Sequence, residues 1–296
     1  MRRTFCIIIA AGIAAFSSQS VLAATKVFLL GGQSNMGGNG VAAELPSPFS
    51  APQTAVKFWN SNSTDWVALR GGFGNSSASF GPEVTFGYTL HNLFPNDDIY
   101  LVKYGITSTS LAVQWKPDGT GAAYNTFKTT ANAAIQNLVK NGKSPVIAGM
   151  IWMQGEEDSY TEATASAYHA NLKSFITTVR SDFDTAKMRF VIGRILTTTG
   201  PAEYNALVQE SQMTVPNEVG CASWFSTDDL QIGNVGHYGT QGQIDLGIRF
   251  ANEFTVVPEP SSSMLLGVTV SSYCLWKRWH RKRLLGCRRM HWCAQN

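Results

Sequence analysis

Two near-continuous apolar runs, Ile99–Tyr104 and Val146–Met153, constrain this chain more tightly than any other feature. A strand that is apolar at nearly every position, rather than at alternate ones, is covered on both faces, as in a parallel sheet between two helical layers. Further strand-like segments lie at Lys26–Leu30, Ala55–Trp59, Arg189–Ile195 and Cys221–Phe225. Between them the apolar spacing becomes helical. Phe127, Ala131, Ala134, Ile135 and Leu138 share one face, as do Tyr168, Leu172, Phe175, Ile176, Val179 and Phe183. A last helix, after Gly239, would bury Ile244, Ile248 and Ala251. The alternation predicts an α/β domain with a mainly parallel sheet and helices on both sides. Right-handed crossovers then bring the strand C-termini to one edge, where such folds place their sites.

The two ends do not belong to this pattern. Arg2 and Arg3 precede the apolar run Cys6–Phe16, polar Ser17–Ser20 and then Val21-Leu22-Ala23. A basic start, a short apolar segment and a small-residue cleavage site are the parts of a secretory signal, so residues 1–23 are expected to be removed and the mature chain to start near Ala24, outside the cytoplasm. At the other end, Val257-Pro258-Glu259-Pro260 leads into an interrupted apolar run, Ser261–Trp276, and a basic cluster from Lys277 to Arg289. The run is shorter than the roughly 20 residues of a membrane span. Residues 257–296 resemble the PEP-CTERM sorting signal of bacterial envelope proteins: a Pro-Glu-Pro box, an apolar segment and terminal arginines. The resemblance implies transient retention at the membrane and recognition by a membrane-bound sorting protease.

Setting the ends aside changes the charge balance. The formal net charge of +3 becomes an excess of acid over residues 24–256, with 14 Lys and Arg against 19 Asp and Glu. Such a core has no attraction for a polyanion, and no nucleic-acid partner is expected. Of five cysteines only Cys221 lies within it, so no internal disulfide forms there. In the apolar stretch Cys221–Phe225 that thiol reads as core packing. No Cys/His cluster has the spacing of a metal site.

Chemistry-bearing residues collect at the predicted sheet edge. The first strand runs into Gly31-Gly32-Gln33-Ser34-Asn35-Met36-Gly37, where flanking glycines let the backbone turn sharply and place Ser34 in the crevice. The strand Val146–Met153 runs into Gln154-Gly155-Glu156-Glu157-Asp158. Gln154 has an amide to offer a developing oxyanion, whereas Glu157 and Asp158 read as acids solvated at a helix start. After the last strand come Asp228, Asp229 and the loop Asn234-Val235-Gly236-His237, which sets a histidine opposite Ser34 as a general base. His91 and His169 fall on or beside helices and read as structural or exposed. The loop Gly37–Thr54, rich in Pro, Ala and Ser, is suited to shaping a cleft.

Gly32-Gln33-Ser34-Asn35-Met36, Trp152-Met153-Gln154-Gly155-Glu156-Glu157-Asp158, and His237 followed by Gly242 and Gly247 resemble the blocks of the SGNH hydrolase superfamily. Within it they are similar to the carbohydrate acetylesterase and sialate O-acetylesterase branch. Phe80-Gly81-Pro82-Glu83 and the stretch from Lys103-Tyr104 through Leu111 and Trp115 fit the same branch. The resemblance implies a flavodoxin-like three-layer α/β/α sandwich with a mainly parallel five-stranded sheet, and no metal or other cofactor. It implies an acetylated carbohydrate as substrate, Ser34 as nucleophile, and His237 as general base. The Ser34 N–H, the Ser108 N–H and the Gln154 side chain would form the oxyanion hole, with Glu156 bracing the loop.

Two positions depart from that pattern. The acid that orients the histidine usually lies three residues before it, and here that residue is Asn234, with Asp229 or Asp228 as candidates to replace it. The glycine that completes the oxyanion hole is replaced in Thr107-Ser108-Thr109. These departures give an alternative reading on the same fold: a catalytically impaired, carbohydrate-binding envelope protein. Xylan, sialic acid and other acetylated sugars all fit the sequence. Trp115 and Phe73 are aromatics able to stack on a sugar ring, although core packing is the commoner use of each.

Overall fold

The computed structural model describes residues 23–196, 200–234 and 236–255. The tail at 257–296 and all but the last residue of the expected signal lie outside the described residues.

Seven strands build the central sheet: β1 (Thr25–Gly32), β2 (Gln53–Asn60), β3 (Asp65–Leu69), β4 (Asp98–Gly105), β5 (Pro145–Met153), β6 (Arg189–Gly193) and β7 (Ala222–Phe225). Their spatial order is β3-β2-β4-β1-β5-β6-β7. Every neighbouring pair is parallel except β2 with β3, which is antiparallel. Numbered among themselves, β4, β1, β5, β6 and β7 follow the flavodoxin-like order 2-1-3-4-5. The expected five-stranded sheet is therefore present, and the hairpin β2–β3 extends it to seven strands beside β4.

Five long helices cover this sheet: α1 (Glu83–Leu93), α2 (Ala122–Lys140), α3 (Glu162–Asp182), α4 (Ala202–Val219) and α5 (Thr240–Asn252). Helices α1 and α5 pack on each other, and so do α3 and α4. Alternate β-strand side chains feed two aromatic layers. Phe28 meets Phe86 of α1 and Phe254 edge-on at 5.7 and 5.2 Å. Trp152 of β5 meets Phe175 of α3 at 4.4 Å and Trp115 at 5.0 Å. Trp115 and Phe175 are fully buried, which makes Trp115 a core residue. Burying a large apolar side chain stabilises by about 1.5–3 kcal/mol, so these layers dominate the cohesion of the domain. The α1–α5 contact is close because Gly247 has no Cβ: one would lie 2.2 Å from Thr85 Oγ1. That hydroxyl instead donates to the Ile244 carbonyl at 2.8 Å.

Cys221 corrects a sequence expectation. It precedes β7 at a φ of +47° and is exposed. Its carbonyl oxygen accepts from Arg180 and from the Phe190 N–H, so the backbone, not the thiol, is the anchored part.

Candidate active site

The site begins with a strand that has to stop abruptly. Gly32 holds φ at +153°, and a Cβ there would sit 2.1 Å from the Met153 carbonyl oxygen. Only glycine lets β1 leave the sheet so close to the end of β5. The Gln33 N–H then donates to that Met153 oxygen at 3.0 Å, and Ser34–Gly37 forms one helical turn. Ser34 thus stands beyond the carboxyl end of β1, between β4 and β5, at the topological switch point of the fold.

The histidine arrives on a small hairpin. Ile232–Asn234 pairs antiparallel with His237–Tyr238, setting Asn234 opposite His237. His237 Nε2 lies 2.9 Å from Ser34 Oγ, and His237 Nδ1 lies 3.0 Å from Asn234 Oδ1. An amide oxygen only accepts, so Nδ1 carries the proton and Nε2 is left to accept from the serine hydroxyl. That is the tautomer a general base needs. Asp229 takes no part. Arg249 grips both its oxygens at 2.7 and 2.6 Å, and this pairing holds its carboxyl at about 2. Asp228 is engaged by Arg194. Of the three residues expected as histidine partners, the geometry brings only Asn234 to the ring.

Asn35, which sequence reasoning passed over, fastens the two halves. Its Nδ2 donates to the Gly236 carbonyl at 3.0 Å and to Glu156 Oε1 at 2.7 Å, while its Oδ1 accepts from the Tyr238 N–H at 3.2 Å. The residues on either side of His237 are therefore held by the residue next to Ser34. The adjacency Ser34-Asn35 was the available signal. Glu156 is buried and its Oε2 has no partner among the described residues; burial pushes its carboxyl up to about 7. Its other oxygen, Oε1, is the one that accepts from Asn35.

Below the turn lies a buried ion pair. Lys103 Nζ reaches Glu83 Oε2 at 2.7 Å and the Gly37 carbonyl at 2.9 Å, and Glu83 Oε1 accepts from the Gly81 N–H at 3.0 Å. Burial lowers the lysine's pKa, and the Glu83 charge opposes that shift. The pair secures the far end of the Ser34 turn.

Two expectations at the β5 end need correcting. Gln154 is fully buried, and its amide protons go to the Thr109 carbonyl at 3.0 Å and to Asp158 Oδ2 at 2.6 Å, so none remains for an oxyanion. Asp158 is buried rather than solvated: it also accepts from the Leu111 and Ala112 N–H groups at 2.7 and 3.0 Å. Its carboxyl is nevertheless pushed up to about 6, because burial outweighs these bonds. Gln154 and Asp158 together tie the loop after β4 to the end of β5. In that loop Ser108 is exposed and adopts a φ of +53°. The serine takes a left-handed conformation of the kind glycine adopts freely, at a cost of roughly 1–2 kcal/mol.

Asn39, Val41, Asn75, Thr107, Asn234 and His237 help to line an open cleft of about 540 Å³. The loop Gly37–Thr54 supplies one wall, as expected. Asn75 Nδ2 donates to the Ser34 carbonyl and to Asn39 Oδ1, both at 3.0 Å, fixing the opposite wall to the Ser34 turn. Among the described residues, no group of three or more His, Cys, Asp or Glu side chains is arranged to hold a metal ion.

Residues 24–256 match the family model described as carbohydrate esterase, sialic acid-specific acetylesterase. Among curated proteins no significant match is found. Solved structures with the same fold include a protein from Arabidopsis thaliana, at TM-score 0.67 and 20% identity over 78% of this chain and 98% of that one. A carbohydrate acetylesterase from Xanthomonas citri aligns at TM-score 0.57 and 17% identity, over 77% of this chain and 55% of its own length. NanS aligns at TM-score 0.57 and 13% identity, over 80% and 98%.

Proposed function

Since the chain belongs to the carbohydrate esterase family of sialic acid-specific acetylesterases, and is thus a carboxylic ester hydrolase, we propose that it removes O-acetyl groups from carbohydrate through an acetyl-enzyme on Ser34. The observation that carries this reading is the 2.9 Å contact between Ser34 Oγ and His237 Nε2. Ser34 Oγ attacks the acetyl carbonyl carbon while its proton passes to Nε2. The negative charge that develops on the carbonyl oxygen is taken up by the N–H groups of Ser34 and Ser108. Ser34 begins its helical turn, so its N–H has no acceptor within that turn. Collapse of the tetrahedral intermediate breaks the bond to the sugar oxygen, which leaves with the proton from Nε2. Water then gives a proton to Nε2 and attacks the acetyl-enzyme, releasing acetate and regenerating Ser34.

The test is acetate release from p-nitrophenyl acetate and from acetylated xylan. Ser34→Ala is expected to lose at least about 10³-fold in turnover. Wild-type rates in that variant would remove Ser34 from the mechanism.

Asn234 favours a second reading, a glycan-binding protein with little turnover, because a neutral amide stabilises an imidazolium less than a carboxylate does. It predicts glycan binding by the folded wild type with no acetate released. The serine–histidine contact and the proton held on Nδ1 support the esterase instead.

The proposal includes export: residues 1–23 direct it, and residues 257–296 retain the chain at the membrane until a sorting protease removes them. Mass spectrometry of the mature protein from its own cells is expected to find a start near Ala24 and no tail. A full-length cytoplasmic chain would overturn this part.

A further inference from the structure

A second cleft of about 390 Å³ opens beside the first. Its lining includes Gly37 of the nucleophile turn and Gly105 at the end of β4, and Ser76 lines both clefts. Its apolar part is aromatic: Phe58 and Phe73 stack at 4.5 Å with their planes 14° apart, and Tyr104 stands nearby on β4. Around this lies a set of uncharged hydrogen-bonding groups. The Tyr104, Ser61 and Ser77 hydroxyls, the Asn62 amide and Asn60 Nδ2 line the cleft without a partner among the described residues. The one charged side chain in the lining, Lys103, is already paired with Glu83. Arg70 sits over the Phe73 ring, 5.0 Å from its centroid, and is not part of the lining.

Aromatic surface bordered by neutral amides and hydroxyls suits a ligand with apolar C–H faces and many hydroxyl groups. An anionic sugar would call for a free cation, and neither cleft lining offers one. We infer that the second cleft binds a neutral sugar unit adjoining the acetylated one, so that the substrate is an uncharged acetylated oligo- or polysaccharide rather than a sialic acid. This rests on the esterase reading and specifies its substrate. The acetylated unit occupies the cleft beside His237, and its neighbour in the chain passes Ser76 into the cleft beside Tyr104.

The test compares kcat/KM for acetylated xylotriose, acetylated methyl xyloside and O-acetylated N-acetylneuraminic acid, using the full chain and the double variant Asn62→Ala, Tyr104→Phe. Asn62 is exposed and Tyr104→Phe keeps its ring, so the variant retains the packing of the core. The loss of two hydrogen bonds is expected to weaken binding roughly tenfold or more. The wild type is expected to favour the trisaccharide over the monosaccharide about tenfold and over the sialic acid by at least as much. The variant is expected to lose the length preference through a raised KM for the trisaccharide, with kcat retained. Equal rates on the two xylosides in the wild type, a length preference that survives in the variant, or a preferred sialic acid would overturn the inference. Failure of the esterase reading is distinguished by p-nitrophenyl acetate, which the wild type would then not hydrolyse at all.

Discussion

In the proposed mechanism, Asn234 places a neutral amide where the charge of His237 would develop. Its oxygen orients the ring and selects the tautomer, but it supplies no negative charge to stabilise the imidazolium. In serine proteases the exchange of the orienting Asp for Asn lowers turnover by about 10⁴. Asn234→Asp is therefore expected to raise kcat on p-nitrophenyl acetate at least about tenfold; an unchanged kcat would show that proton transfer to His237 does not limit the reaction. Glu156 gives a second prediction at this scale. Its carboxyl titrates near 7 in the folded protein against an ordinary value of 4.5. Between those values the folded protein holds a proton that the unfolded chain has released, so stability falls as pH rises across that window. Glu156→Gln keeps an oxygen for Asn35 and should flatten this fall, seen as a smaller difference in urea midpoint between pH 5 and pH 8. An unaltered difference would assign the effect elsewhere, first to Asp158, whose window lies lower. The candidate site residues were legible because Ser34, Asn234 and His237 lie in short stretches whose neighbours fix them. Gln154 was misread because its acceptors depend on the Thr109 carbonyl, 45 residues earlier, and on the buried Asp158.

At the scale of elements, the Ser34 turn is held from four sides: by β5 through Gln33, by the histidine hairpin through Asn35, by Asn75 at the Ser34 carbonyl, and by the Glu83–Lys103 pair through Gly37. Removing one partner of a buried pair leaves the other charge uncompensated, so Glu83→Ala should destabilise the domain by about 3–5 kcal/mol in urea denaturation. A loss below about 1 kcal/mol would mean that Lys103 finds water or sheds its proton at little cost. Helix α4 was invisible to periodicity for a definite reason. The face it buries is half polar: Gln209 and Gln212 donate to the Ile195 and Gln154 carbonyls at 2.7 and 2.8 Å, and Gln212 accepts from the Ile195 N–H at 2.9 Å. An amphipathic pattern assumes that the inward face is apolar, and here it serves the loops that close the site. Strand β3 escaped notice because Asp65–Leu69 is only 5 residues long and mostly half-exposed.

For the whole molecule, the strand–helix alternation was enough to give the layers, the parallel core and the edge at which the site lies. Strand β2 was read at Ala55–Trp59, but its pairing with β3 was not, and β2 ends at Asn60, beside the second cleft. Sheet order carries the functional argument: with β1 between β4 and β5, the serine after β1 meets loops from both neighbours. The histidine reaches it from 203 residues further along the chain. If acetyl transfer passes through Ser34, acid-quenching the full chain during turnover of p-nitrophenyl acetate and mapping acetylation by peptide mass spectrometry will catch it. An acetyl group is expected on the peptide containing Ser34, present during turnover and gone once substrate is exhausted. Acetate release with that peptide unmodified throughout, or with an adduct that turns over at another residue, would contradict transfer through Ser34.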